Sequence, residues 1–593
     1  MAPKARQPNH SKSLSYQAQS GSPQYLLPLL AMALAVAVYL GAASFPFVFD
    51  DLRQILQNPR VQSWSYFPHY FTESLWSHLP AAPNSYYRPL FLVWMLLNFK
   101  LFGHNPMGWH LAGLLLHAGV TWLVFRLAAR ELNDKIAAGF AAIVFALHPA
   151  HAEGVVWISG LNEPLYAAFF LATLLCYFRW KDGDGDEWIA ASLICFALSM
   201  LAKETAVMAP ALISLYEWRS RAKEIRMARI RATLLTVTSY VVVAILYLGV
   251  RTYGMRNTVA LTVKHPSIPS VFLTLPAALW FYLQKLVIPW PMAVFYPLTF
   301  VSRAGLWDFW LPLLALSIVG AALWTWAKRD QRVMVACWWL FLPLLPPLLA
   351  IVRFLPGDLV HDRYLYLPCV GFSMLTAIAL RRIPVGKRNP WGIPAAQFAA
   401  LAVVGFAFAF ACVKQADYWS SDLVLYSCAV EVSPMNAVAL NQLGSELSHV
   451  GQDDRAVAYL ERAVQVDPDN YRSLLLLGIT ENNLGRYDRA IPALLHAREL
   501  HPKGGIADFF LGMAEVGAHQ FTEAEVTLRH AIELVPGKFR QHYLLGVALE
   551  QQGRLGEARS EFLRELQLDP TSADAKARLQ EMESRQGSNE GEQ

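Results

Sequence analysis

The sequence predicts an all-α protein in two parts: a polytopic bundle of membrane-crossing helices, then an α-solenoid of helix pairs. Three observations predict it. Hydrophobic residues make up 55% of the 593, charged residues only 16%, and there are 19 tryptophans; a soluble chain carries about a quarter charged residues. The apolar surplus lies before Val413, in long runs with few charges, as membrane spans do. From Ala437 onward the sequence repeats itself every 34 residues, the length of a tetratricopeptide (TPR) unit.

Residues 1–24 are polar and rich in Ser, Gln and Pro, with Lys4, Arg6 and Lys12, the composition of a disordered tail. Residues 25–43 form an apolar run longer than the core of a signal peptide, despite the small residues Ala42-Ala43-Ser44 at its end, and are expected to be an uncleaved first span. Ten more spans are expected at 108–127, 136–147, 164–177, 188–201, 207–216, 233–250, 309–327, 333–352, 364–380 and 394–413. The four between 136 and 216 are short, so they tilt or turn back as hairpins.

Charge orients the bundle. From Ala437 onward 16 cations face 24 anions; the remainder holds 34 cations against 21 anions. With the N-terminus inside, four basic clusters also fall inside, as the positive-inside rule requires. They are Arg126/Arg130/Lys135, the run from Arg219 through Arg221, Lys223, Arg226 and Arg229 to Arg231, Lys328/Arg329/Arg332, and Arg381/Arg382/Lys387/Arg388. This assignment requires the apolar stretch 271–288 to lie along the outer surface or to re-enter, and it places the loops after residues 43, 147, 201, 250, 352 and 413, with the C-terminal part, outside. The membrane half is expected at 25–413, followed by a linker and half-repeat at 414–436.

The repeats occupy 437–572. Leu443-Gly444, Leu477-Gly478, Leu511-Gly512 and Leu545-Gly546 recur in register, as do Ala456, Ala490, Ala524 and Ala558, then Pro468, Pro502, Pro536 and Pro570. The small residues let paired helices approach closely, and each proline ends a second helix. Residues 573–593 supply a polar capping helix and tail. Such an array usually offers a concave surface to a peptide or protein.

No Walker loop, GxGxxG, HExxH or GxSxG motif is present, which argues against an ATP-driven pump, a dinucleotide enzyme, a zincin and an elbow-type hydrolase. The six cysteines form no CxxC pair, so neither a disulfide framework nor a zinc knuckle is indicated. Cations set between apolar runs fit a membrane rather than nucleic acid. The candidates for chemistry are polar residues at the outer helix ends, since such groups are costly near lipid. Asp50 and Asp51 follow the first span; mutual repulsion raises one pKa and suits a proton-accepting base, although a solvated pair ending a helix reads the same way. His148, His151 and Glu153 share one short loop that can grip a metal, a phosphate or a sugar, or be merely interfacial. Lys203-Glu204 is either a phosphate contact or an ion pair closing a hairpin. Arg88, in Tyr86-Tyr87-Arg88-Pro89, and Arg363 with Tyr364, in His361-Asp362-Arg363-Tyr364, are further phosphate candidates; the tyrosines also suit an interfacial belt. All five segments reach one face, which suits chemistry on a lipid-anchored substrate better than transport through the midplane.

These stretches, taken in order, resemble the transmembrane-and-TPR-containing protein O-mannosyltransferases, whose fold is called GT-C. The resemblance is carried by Phe49-Asp50-Asp51 with Asn58-Pro59, Tyr87-Arg88-Pro89 running to Leu101-Phe102-Gly103 and Trp109-His110-Leu111, His148-Pro149 with His151-Ala152-Glu153, Lys203-Glu204, Arg363-Tyr364-Leu365-Tyr366-Leu367-Pro368, and the repeats. It implies transfer of a hexose, mannose in the family, from a polyprenyl-phosphate donor to a Ser or Thr hydroxyl on the non-cytoplasmic face. It implies that Asp50 or Asp51 is the base. Arg88, His148, His151, Glu153, Lys203, Glu204, Arg363 and Tyr364 are then expected around the donor's phosphate and sugar, with the repeats presenting a protein acceptor; no residue is assigned to a metal. Four repeats are fewer than many family arrays, so the groove is smaller. A bacterial inner membrane is the expected setting, or an endoplasmic reticulum in a eukaryote. Two other readings use the same features: a polysaccharide ligase or polymerase with polyprenyl-linked donors, and a non-catalytic scaffold that tolerates loss of both acids.

Overall fold

The computed structural model describes residues 23–79, 86–256, 266–354, 357–384, 386–387, 393–537 and 540–590. Nearly all of the expected N-terminal tail, together with Arg388 and the last three residues, lies outside them.

Every element among the described residues is a helix. Eight described helices are long and apolar enough to cross a membrane, and a ninth segment passes as a pair, Lys135–Ala146 and Pro149–Val155, bent by 53°. Pro149 makes the break, since it cannot donate to the preceding turn. Glu187–Ala202 and Pro368–Arg381 are shorter apolar helices in the same bundle.

Ion pairs divide the bundle into two ends. At one end Arg381 Nε lies 2.8 Å from Asp134, Arg382 3.5 Å from Asp330, and Arg219 3.6 Å from Glu131; Arg130 donates to Asp182 at 2.9 Å. The basic clusters are therefore gathered at this end. The 27-residue Pro106–Leu132 helix, about 40 Å long at 1.5 Å per residue, leads from there to the other end, where Asp50, Arg88, Glu153, Lys203, Glu204 and Arg363 collect.

The helix Ile268–Val287 is long enough to span, yet both of its ends are tied to the acid-bearing end. Its Leu286 carbonyl accepts from His148 Nε2 at 2.9 Å. Near its start, Ser270 Oγ donates to the Val301 carbonyl at 2.8 Å, five residues before the Leu306–Trp310 turn that opens the next long helix.

After Ala395–Asp417, the short helix Asp422–Val432 leads into the helix pairs Ala437–His449 with Asp453–Val466, Tyr471–Asn483 with Tyr487–Leu500, Ile506–Gly517 with Phe521–Leu534, and Gln541–Gln551 with Leu555–Leu568, capped by Ala573–Glu590. The recurring glycines mark where paired helices meet. A Cβ on Gly444, Gly478, Gly512 or Gly546 would stand 2.4 to 2.6 Å from the side chain of Leu460, Leu494, Leu528 or Phe562 respectively. Only a residue without a side chain fits there.

Candidate active site

A cavity of about 610 Å³ opens where the repeats meet the bundle. The chain enters it from the first long helix through Phe49, whose φ of 56° is left-handed, a costly state for a bulky residue. Two contacts hold it there. The Phe49 N–H donates to Asp422 Oδ1 at 2.7 Å, and its ring packs against Trp157 and Tyr426 with centroids 5.3 and 6.3 Å away. This turn sends the two following acids in different directions.

Asp51 is buried and fully engaged. Its carboxylate accepts from the Ser159 N–H at 2.8 Å, the Ser159 hydroxyl at 2.5 Å and the Val48 N–H at 3.3 Å. Burial pushes it up to about 7, against the bonds from Ser159 that pull it down. Asp50 instead lines the cavity, and burial lifts its carboxyl to about 6, against the charges of Arg363 and Arg53. Desolvation is the governing cause in both.

Arg363 comes from the turn before Pro368–Arg381. Its backbone N–H donates to Glu153 Oε2 at 2.8 Å and its guanidinium pairs with Glu153 Oε1. Arg88, just ahead of the Pro89–Phe102 helix, is held by Glu204 through Nε at 3.4 Å and Nη2 at 3.3 Å. Burial works against both charges, but the paired carboxylates keep them firmly protonated. Each guanidinium has five N–H donors, so both retain hydrogens for a further anion. Lys203 is not on the cavity wall. It pairs with buried Glu163 and lies 4.8 Å from the Tyr364 ring, and burial pushes its ammonium below the ordinary value. Glu204 and Glu153 thus orient arginines, while Tyr364 forms part of the wall.

The structure does not bring His148 and His151 to the cavity. His148 is committed to the Leu286 carbonyl, and His151 packs within the bundle against Phe145 and Tyr366, centroids 4.5 Å away in each case. With Glu153 turned to Arg363, the loop's three ligand-type residues do not converge. Among the described residues no group of three His, Cys, Asp or Glu could hold a metal ion.

Sequence reasoning missed several wall residues. Asp358 faces Asp50 in the cavity and is pushed up to about 7 by burial; it lies 3.5 Å from His361 Nε2. Asp422 grips Phe49. Val438, Gln442, Ser445, Glu446, His449 and Arg472 come from the first two repeats. None belongs to a local motif. The seam explains their arrival: Asn436 Nδ2 donates to the Gly357 carbonyl at 2.8 Å and the Tyr296 carbonyl at 3.3 Å, while its Oδ1 caps the first repeat helix at Val438 and Ala439. Gly357 has φ +83°, and a Cβ there would meet Asn436 at 2.7 Å.

A family model described as dolichyl-phosphate-mannose-protein mannosyltransferase matches residues 87–235, and a tetratricopeptide repeat model matches 442–505 and 509–573. Protein O-mannosyl-transferase TMTC3 of Mus musculus is 26% identical over 476 residues, covering 73% of this chain and 50% of that one. The chain is similar to the TMTC protein O-mannosyl-transferases. TMTC4 of Homo sapiens is 24% identical over 503 residues, covering 74% and 66%. TMTC2 of Mus musculus reaches 34% over 196 residues, covering 32% and 23%. The chain spans about half the length of the curated TMTC relatives it matches. The family match covers Arg88, His148, His151, Glu153, Lys203 and Glu204, whereas Asp50, Asp51, Arg363 and Tyr364 lie outside it.

Proposed function

We propose that this multi-pass membrane protein transfers mannose from a polyprenyl-phosphate donor to a Ser or Thr hydroxyl of a protein acceptor. The observation that carries the reading is the Asp50 carboxylate. It stands in a cavity beside two glutamate-held arginines and makes no hydrogen bond among the described residues. A base with a pKa of about 6 is ionised near neutral pH yet still able to take a proton. The acceptor oxygen attacks the anomeric carbon of the sugar while Asp50 receives the hydroxyl proton. The bond from that carbon to the phosphate oxygen breaks, and the polyprenyl phosphate leaves with its electron pair. Arg363 and Arg88 meet the charge on that phosphate. A phosphate is a good leaving group, so no strong general acid is needed.

Asp51 serves as the anchor that fixes the turn, through Ser159. His148 and His151 pack behind the site and play no direct part. The cavity-bearing end lies on the non-cytoplasmic side, because the opposite end carries the basic clusters. The repeats lie on the same side as the cavity and present the acceptor to it.

The test is transfer of labelled mannose from polyprenyl-phosphate mannose to Ser/Thr-rich proteins by purified wild type, Asp50→Asn, Asp51→Asn and Asp358→Asn. Asp50→Asn is expected to lower kcat by roughly 10²- to 10⁴-fold with folding intact. Unchanged transfer in Asp50→Asn with loss in Asp358→Asn would move the base to Asp358. Unchanged transfer in all three would remove the acid-base reading.

A further inference from the structure

We propose that Arg53 and Arg472 together form an anion-binding subsite that takes a carboxylate side chain of the acceptor polypeptide, next to the hydroxyl that is glycosylated. The proposal rests on reading the cavity as the site of transfer and names the acceptor chemistry it selects. Both arginines line the cavity, one from the bundle and one from the second repeat. Neither has an ion-pair partner among the described residues. Arg472 donates only to the amide oxygen of Gln442, at 2.7 Å.

The other cavity arginines differ on this point, since Arg88 and Arg363 each already carry a glutamate. Of the cavity's acids, Asp422 holds the Phe49 N–H, Glu446 lies 3.7 Å from His449, Asp358 lies 3.5 Å from His361, and among the described residues no ion pair joins Asp50 to Arg53. Crowding by surrounding protein, and then the charge of Arg53, push the Arg472 guanidinium below its ordinary value. An anion between the two would relieve this. Arg472 also lies in the first turn of Tyr471–Asn483, where the helix dipole adds positive potential.

Position favours the acceptor over the donor's phosphate. Arg53 follows Asp50 by one turn, its N–H donating to the Asp50 carbonyl at 3.1 Å. A peptide whose hydroxyl reaches Asp50 therefore carries its neighbouring side chains over Arg53. Arg472 belongs to the repeat surface, whose residues Val438, Gln442 and Ser445 continue the same wall.

The experiment uses full-length protein in nanodiscs and two Thr-rich peptides of equal length, one with two glutamates beside the threonine and one with two glutamines. Wild type is expected to bind the glutamate peptide about fivefold more tightly or better, with the preference shrinking as salt is raised. Arg53→Gln and Arg472→Gln are expected to abolish the preference and leave the glutamine-peptide affinity unchanged, while Arg472→Lys keeps part of it. Equal affinity for the two peptides in wild type, or no binding of either, overturns the proposal. So does a weakened capture of polyprenyl-phosphate mannose by Arg472→Gln with the peptide preference retained, which assigns the pair to the donor phosphate. Mannose transfer is measured in parallel. A peptide preference without any transfer sustains the subsite and rejects the transferase reading, so the two failures are separable.

Discussion

Asp50 and Asp51 are neighbours in sequence with opposite fates, and Phe49 is the reason. Its left-handed backbone turns Asp51 inward to Ser159 and leaves Asp50 in the cavity. Burial raises the Asp50 pKa from 3.8 to about 6, so the folded protein holds this proton more tightly than the unfolded chain. Stability then falls as pH rises through roughly 4 to 6. Asp50→Asn is accordingly expected to melt at a higher temperature than wild type at pH 7.5, with the difference vanishing near pH 4, as followed by thermal unfolding at both pH values. Activity runs the other way. The proposed base works only when ionised, so kcat/KM is expected to climb through about pH 6 and level above it, and an initial-rate profile checks this.

At the scale of elements, close approach governs the solenoid. Gly478→Ala places a Cβ 2.4 Å from Leu494 Cγ, in a contact where Leu494 is fully buried. The overpacking cost, about 1–3 kcal/mol, exceeds the gain of about 1 kcal/mol from alanine's helix propensity. Gly556→Ala meets nothing within 4 Å and is expected to be neutral or slightly stabilising. Thermal unfolding of the two variants, compared with wild type, distinguishes a packing requirement from a mere glycine habit. The same 34-residue spacing that makes these glycines legible in sequence arises because each faces the residue 16 positions later, on the partner helix.

At the scale of the whole molecule, the seam between bundle and repeats completes the cavity. Asn436→Ala removes two bonds to carbonyls of the bundle and a helix cap, each worth about 1 kcal/mol. It is expected to raise the protease sensitivity of the 414–436 connection and to increase the KM for protein acceptors more than kcat falls. Limited proteolysis and acceptor titration read these two effects. The proposed sidedness has its own check. Cysteines placed at Arg382 and at His449 are expected to react with an impermeant reagent from opposite faces of sealed vesicles, and labelling from one face would reject the orientation.

Composition and periodicity alone determined the all-α class, the division into an apolar bundle and a solenoid, and the repeat register, because membrane burial and 34-residue stacking impose their patterns on every residue along the chain. Motif spacing also singled out Asp50, Arg88 and Arg363, which line the cavity and fall at helix ends where polar residues stand out against apolar neighbours. Only the tertiary structure separated Asp50 from Asp51, set His148 and His151 behind the cavity, and brought Asp358, Asp422 and Arg472 to its wall. Those outcomes depend on one strained turn and on a seam between segments hundreds of residues apart, and neither leaves a local pattern in the chain.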